Sequence, residues 1–189
     1  MRSALFGPVP WLVPGVLLSV VVGLVAAGPL AAALRVRRAL AFAVIVSFGL
    51  IVSTTLTPLR RAVEHGSVGT GWCDLSRVWP LPFDSWLSFS DPTGNILLFI
   101  PLGLAIGLVP RSPAKVVLLE AAIVLPFVIE TVQLLAPVLA RGCEAADVVD
   151  NLTGLLIGLA AGTVLGRFVS ASPGPSDADD RADPGGYGE

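Results

Sequence analysis

The stretch WLVPGVLLSVVVGLVAAGPLAAALRVRRALAFAVIVSFGLIVSTTL, residues 11–56, decides the fold. It holds two apolar runs, Trp11–Leu34 and Ala39–Leu56, split by the cluster Arg35-Val36-Arg37-Arg38. About 20 apolar residues wound as a helix cross the hydrocarbon core of a bilayer. Both runs approach or exceed that length, so the stretch reads as two transmembrane helices joined by a short basic turn. A cleaved signal peptide is the rival reading of the first run. Its flanks speak against that, because the basic cluster follows the apolar run instead of preceding it. Composition agrees with a lipid solvent: 54% of the 189 residues are hydrophobic, only 14% are charged, and the mean hydropathy is +0.82. A soluble domain of this size has too little interior to hide so much apolar surface.

Working outward, Pro58 and Arg60-Arg61 close the second run. A mixed stretch, 59–91, follows, with Trp72, Trp79 and Trp86 and four acidic residues. Its length suggests a lid or a surface-lying segment. A third run, Asn95–Val109, is short and needs Thr93 and Gly94, a partial span or a thinned bilayer to cross. Arg111-Ser112-Pro113-Ala114-Lys115 precedes a fourth run, Val116–Val138, and Val148–Phe168 is the fifth. The expected fold is therefore all-α: a polytopic bundle of about five transmembrane helices with one long extracytoplasmic loop. Residues 1–169 form the membrane domain. Residues 170–189 form an acidic tail, with Asp177, Asp179, Asp180, Asp183 and Glu189 against Arg181, of disorder-prone composition.

Lys and Arg placement orients the bundle. Arg35, Arg37, Arg38, Arg111, Lys115 and Arg167 fall on one side, and Arg2, Arg60, Arg61, Arg77 and Arg141 on the other. The tight Arg35–Arg38 cluster decides for an N-terminus outside and a cytoplasmic tail. Cys73 and Cys143 then both lie outside, where an oxidising exterior permits a disulfide. Low Met and Tyr with abundant Gly, Ala and Val point to a GC-rich bacterial gene, hence a bacterial plasma membrane. No basic stripe interleaved with aromatics exists, which excludes a nucleic-acid partner.

Polar residues gather near the outer end. Asp91-Pro92 reads as a helix N-cap with Pro at the first turn, and Asn95 falls one turn in. Glu130 sits in an apolar run, where a carboxylate costs roughly 2.5 kcal/mol or more. It must face protein or water, and Gln133 shares its helix face. Pro126 frees a carbonyl one turn earlier. Glu120, near Lys115 and the cytoplasmic interface, can snorkel or pair there. After Arg141 come Glu144, Asp147, Asp150 and Asn151. Asp147 and Asp150 suit a helix N-terminus, and Arg141 is the expected counter-charge for Glu130 or Asp147. Gly103 and Gly107, and Gly154, Gly158, Gly162 and Gly166, recur at a spacing of four, which marks helix-packing seams.

Three segments carry a resemblance: Asn95-Ile96-Leu97-Leu98-Phe99-Ile100-Pro101-Leu102-Gly103; Glu130 with Gln133; and Arg141 with Glu144, Asp147, Asn151 and Gly154. In order and spacing they resemble the VanZ-like family of bacterial membrane proteins, over roughly residues 39–168. Asp150 is outside that pattern. The family is named for a protein associated with resistance to the glycopeptide teicoplanin. The resemblance implies a cell-envelope protein whose site is the cluster Asn95, Glu130, Gln133, Arg141, Glu144, Asp147 and Asn151. Expected partners are membrane lipids and a lipid-linked cell-wall precursor or glycopeptide, with no cofactor and no metal. Two other classes stand beside it. One is a small membrane enzyme using Glu130 and Asp147 as acid and base, or as metal ligands with Asp150. The other is a transporter or proton relay. No Ser or Cys nucleophile motif is present, and the only His, His65, falls in the long loop.

Overall fold

The computed structural model describes residues 9–80 and 91–171, with side chains except at 91–92 and 169–171. Trp86, the Asp91 cap and the acidic tail lie outside what is described. Among the described residues the chain forms six α-helices: α1 (Leu12–Leu34), α2 (Arg38–Thr55), α3 (Arg60–His65), α4 (Asp91–Leu108), α5 (Pro113–Leu135) and α6 (Ala145–Ala171). Two short strands, β1 (Cys73–Asp74) and β2 (Cys143–Glu144), pair in parallel. The four spans Leu12–Leu34, Arg38–His65, Pro113–Leu135 and Ala145–Phe168 are long and apolar enough to cross a membrane, and Thr93–Leu108 is a shorter apolar helix. The protein is a membrane-embedded all-α bundle.

The short third run becomes the central helix. α4 packs along α6 and also against α2 and α5, and its Ile96, Phe99, Leu102 and Ile106 are buried. Phe99, Leu102 and Ile106 make the main core with Ile51, Ala122, Ile129 and Leu155. A helix covered by protein on several sides need not match the bilayer in length, which accounts for a run too short to span by itself.

Glycine sets the α4–α6 distance. A β-carbon on Gly103 would lie 2.2 Å from the Leu155 carbonyl oxygen, and one on Gly154 2.0 Å from that of Ile96. Gly107, Gly158 and Gly162 are equally closed to a side chain by backbone atoms. Gly166 is not part of this seam, since a β-carbon there meets nothing nearer than Leu108 Cα at 4.0 Å. The helices have diverged by that point.

A second seam joins α1 to α2. Gly15 faces Ser53 and Gly49 faces Ser19, with β-carbons on the glycines falling 2.1 and 1.8 Å from the serine oxygens. Each hydroxyl bonds back to its own helix, Ser19 Oγ to Gly15 O at 2.7 Å and Ser53 Oγ to Gly49 O at 2.6 Å. Two buried hydroxyls are thereby satisfied in lipid. The other side of α1, including Leu17, Leu18 and Val25, is exposed on the surface of the bundle, as a lipid-facing helix requires.

Helix ends are closed by neighbours. Ser112 Oγ accepts from Lys115 N at 3.3 Å, and Pro113 takes the first turn of α5. Lys115 Nζ donates to Gly107 O at 2.9 Å and Val109 O at 3.0 Å, capping α4 where the helix dipole favours a cation. Glu120 therefore does not hold Lys115; it is exposed.

Candidate functional site

One end of the bundle opens into a cavity of about 850 Å³. Asn95, Glu130, Gln133, Arg141, Glu144, Asp147 and Asn151 all line it, together with Thr54 and Thr55 of α2 and Arg60, Arg61, Glu64 and His65 of α3. The seven residues proposed from the sequence thus meet in one space. α3 supplies four polar side chains that sequence reasoning left in the long loop. The pair Arg60-Arg61, beginning two residues after Pro58, was the available signal.

The geometry begins with the end of α2. The last carbonyls of a helix have no partner within it. Thr55 O accepts from Gln133 Nε2 at 3.0 Å, and Thr57 O from Arg141 Nε at 3.1 Å. Thr54 O accepts from Arg141 Nη2. Gln133 is therefore not paired with Glu130, and Arg141 is not the counter-ion expected of it. Among the described residues Arg141 has no carboxylate within ion-pair distance. Its guanidinium satisfies the C-terminal pole of α2, an electrostatic match of cation and dipole.

Arg61 stands beside it and donates to Ala140 O from Nη2 at 2.7 Å and from Nε at 3.3 Å. Ala140 is fully buried with φ of 53°, a left-handed conformation that turns its carbonyl toward Arg61. Burial, and then the charge of Arg61, push Arg141 down to about 10. It remains a cation at neutral pH, held next to a second cation.

Carboxylates line the same cavity. Glu130 Oε2 accepts the Glu144 backbone N–H at 2.8 Å, tying α5 to β2. Asn95 and the carboxylate of Asp147 lie side by side, bringing α4 to the first turn of α6. Asn151 is 1% exposed, and its Oδ1 has no protein hydrogen-bond partner.

Asp150 leaves the cluster. It is wholly buried and ion-paired with Arg77 through both carboxylate oxygens, Oδ1 at 3.1 Å from Nη1. That pair raises the Arg77 pKa. The expected metal trio of Glu130, Asp147 and Asp150 does not form, because Asp150 is committed to an arginine. Among the described residues no three His, Cys, Asp or Glu side chains are placed to hold a metal ion.

A strap covers this end. Cys73 and Cys143 form a disulfide with Cα atoms 4.5 Å apart, in register at the β1–β2 pair. Leu59 N bonds Leu139 O at 3.1 Å, and Gly69 N bonds Pro137 O at 2.7 Å. A β-carbon at Gly69 would sit 2.4 Å from the Arg141 carbonyl oxygen, so the strap lies directly on the arginine's backbone. In the next turn Ser76 N donates to Asp74 Oδ1 at 2.8 Å, and that bond lowers the Asp74 pKa.

Residues 44–166, from within α2 to the last turns of α6, match the VanZ/LLP1 family model. The chain belongs to the VanZ/LLP1 family. The match takes in all three motif segments and leaves α1 outside. Searches of curated proteins and of solved structures gave no match. In this VanZ/LLP1 protein the motifs thus do two things: Gln133 and Arg141 finish α2, while Asn95, Glu130, Asp147 and Asn151 furnish a polar cavity.

Proposed function

We propose that this protein binds the anionic headgroup of an envelope molecule, a lipid or lipid-linked cell-wall precursor, in the cavity and thereby shields it. The observation that carries the reading is the pair Arg61 and Arg141: two adjacent guanidiniums at an open cavity, bonded to backbone carbonyls. Each guanidinium has five N–H donors in a planar fork suited to phosphate, and backbone bonds use only part of that set. An anion between them relieves their mutual repulsion. Glu130, Glu144 and Asp147, which line the same cavity, supply acceptors for headgroup hydroxyls or amines, and Asn151 Oδ1 adds a buried one.

The disulfide supports placing this end outside, since such bonds persist in oxidising compartments. The cavity then faces the outer leaflet of a bacterial plasma membrane, where precursor shielding would change susceptibility to a glycopeptide such as teicoplanin. Arg61→Gln and Arg141→Gln, at unchanged protein level, are expected to shift teicoplanin susceptibility. They are also expected to abolish stabilisation of the purified protein by sn-glycerol 3-phosphate. If the wild type shows no such stabilisation, and neither variant moves any envelope phenotype, the reading is wrong.

A further inference from the structure

An apolar groove lies beside the headgroup cavity, lined by the next turns of helices that also line the cavity. α2 and α5 both lie on α4 yet scarcely pack on each other. The gap between them holds a groove of about 200 Å³, walled by Val44 and Phe48 of α2 and by Ala121 and Leu125 of α5, over a floor of Leu102 and Ile106. Every lining residue is apolar. Phe48 and Ala121 are exposed at its rim, so it opens sideways to the hydrocarbon phase.

The three helices that form the groove also line the cavity. Thr54, Leu98 and Glu130 line the cavity, and Phe48, Leu102 and Leu125 line the groove. On α4 one helical turn separates Leu98 from Leu102. From Leu98 to Ile106 the floor runs eight residues, ~12 Å along the helix. Gln133 bridges to Thr55 O at the cavity end of the gap, and among the described residues no side-chain hydrogen bond joins α2 to α5 alongside Ala121.

We infer that the ligand is a membrane lipid that enters laterally between α2 and α5, its acyl chain lying in this groove while its phosphate reaches Arg61 and Arg141. This rests on the headgroup reading of the cavity and adds the substrate class: an amphiphile still anchored in the bilayer, as against a soluble anion. The charge at one end and the wholly apolar lining at the other match the two ends of one molecule. A second protein helix seated in the gap would satisfy only the apolar part.

The test separates the two parts. Wild type, Ala121→Trp and Arg141→Gln are reconstituted in nanodiscs of dioleoylphosphatidylglycerol and extracted into detergent, and retained lipid is counted by native mass spectrometry. sn-Glycerol 3-phosphate binding is measured on the same samples by thermal shift. Ala121 faces outward, so a Trp there fills the groove without entering the core. Ala121→Trp is expected to lower lipid retention by about tenfold, within the range that overpacking a filled site costs, and to leave glycerol phosphate binding unchanged. Arg141→Gln is expected to lose both. Equal lipid retention by wild type and Ala121→Trp overturns the inference while leaving the headgroup reading in place. Wild type binding neither probe overturns both. As a second measurement, phosphatidylglycerol with a diazirine in one chain, retained through detergent, should crosslink to peptides carrying Val44–Phe48 and Leu118–Leu125. Crosslinks confined to α1 would refute it.

Discussion

Consider Gly158→Ala. The new β-carbon would fall 2.2 Å from the Ile100 carbonyl oxygen and 2.8 Å from Leu104 N. Relaxed carbon–oxygen contacts lie at about 3.3–3.6 Å, so α4 and α6 must part by roughly 1 Å. Alanine's better intrinsic helix propensity returns at most about 1 kcal/mol. Overpacking costs about 1–3 kcal/mol, sometimes more. The upper end applies because both obstacles are main-chain atoms, which cannot rotate aside as a side chain can. Parting the helices also loosens Leu155 against Phe99 in the core. The expected net loss is about 2 kcal/mol. It is measured by titrating the protein out of mild detergent micelles with a denaturing detergent and following helicity. Gly166→Ala is the internal control, because its β-carbon has 4.0 Å of clearance, and it should be neutral or more stable by up to about 1 kcal/mol. Equal stabilities for the two variants would refute the assignment of the seam to backbone contact.

Three further outcomes are expected. Arg77→Met leaves the fully buried Asp150 without its cation and should cost about 3 kcal/mol, the lower end for a broken buried pair because Arg77 is 20% exposed. Asp150→Asn should cost less, since the freed Arg77 can turn to water, and the reverse order in the same titration would contradict the geometry. Replacing Cys73 and Cys143 together by Ser removes a crosslink across 70 residues and should cost about 2–4 kcal/mol; reductant should move the wild-type midpoint toward that of the double variant and leave the variant unmoved. At Ala140, φ 53° and fully buried, a glycine relieves left-handed strain and should be no less stable than wild type. Ala140→Val should lose more than about 1 kcal/mol, read by the same unfolding curve.

The helices and the α4–α6 seam were legible because both rest on local arithmetic: apolar run length, and glycine every fourth residue. The seven cavity residues were legible because polar groups are costly in lipid, and costly groups must converge on protein or water. Their partners were not legible. Arg141 offers equally plausible bonds to a carboxylate or to a helix terminus, and only the three-dimensional position of Thr54 and Thr57 decides between them. Asp150 is a helix-face neighbour of Asp147 in the sequence, yet its environment is set by Arg77, 73 positions away. The α1–α2 seam was visible in principle, since Gly15, Ser19, Gly23, Ala27 and Ala31 also recur every fourth residue. Serine at one of these five positions and alanine at two mask it in a search for glycine alone.

That first seam bears on what counts as one unit. The family match begins inside α2, yet the face of α2 that carries Gly49 and Ser53 is sheathed by α1. A chain started at residue 44 would present that notched, hydroxyl-bearing face to bare lipid, with no helix shaped to fill it. The region matched by the family and the unit that packs together in the bilayer therefore have different boundaries in this protein, and α1 belongs to the second.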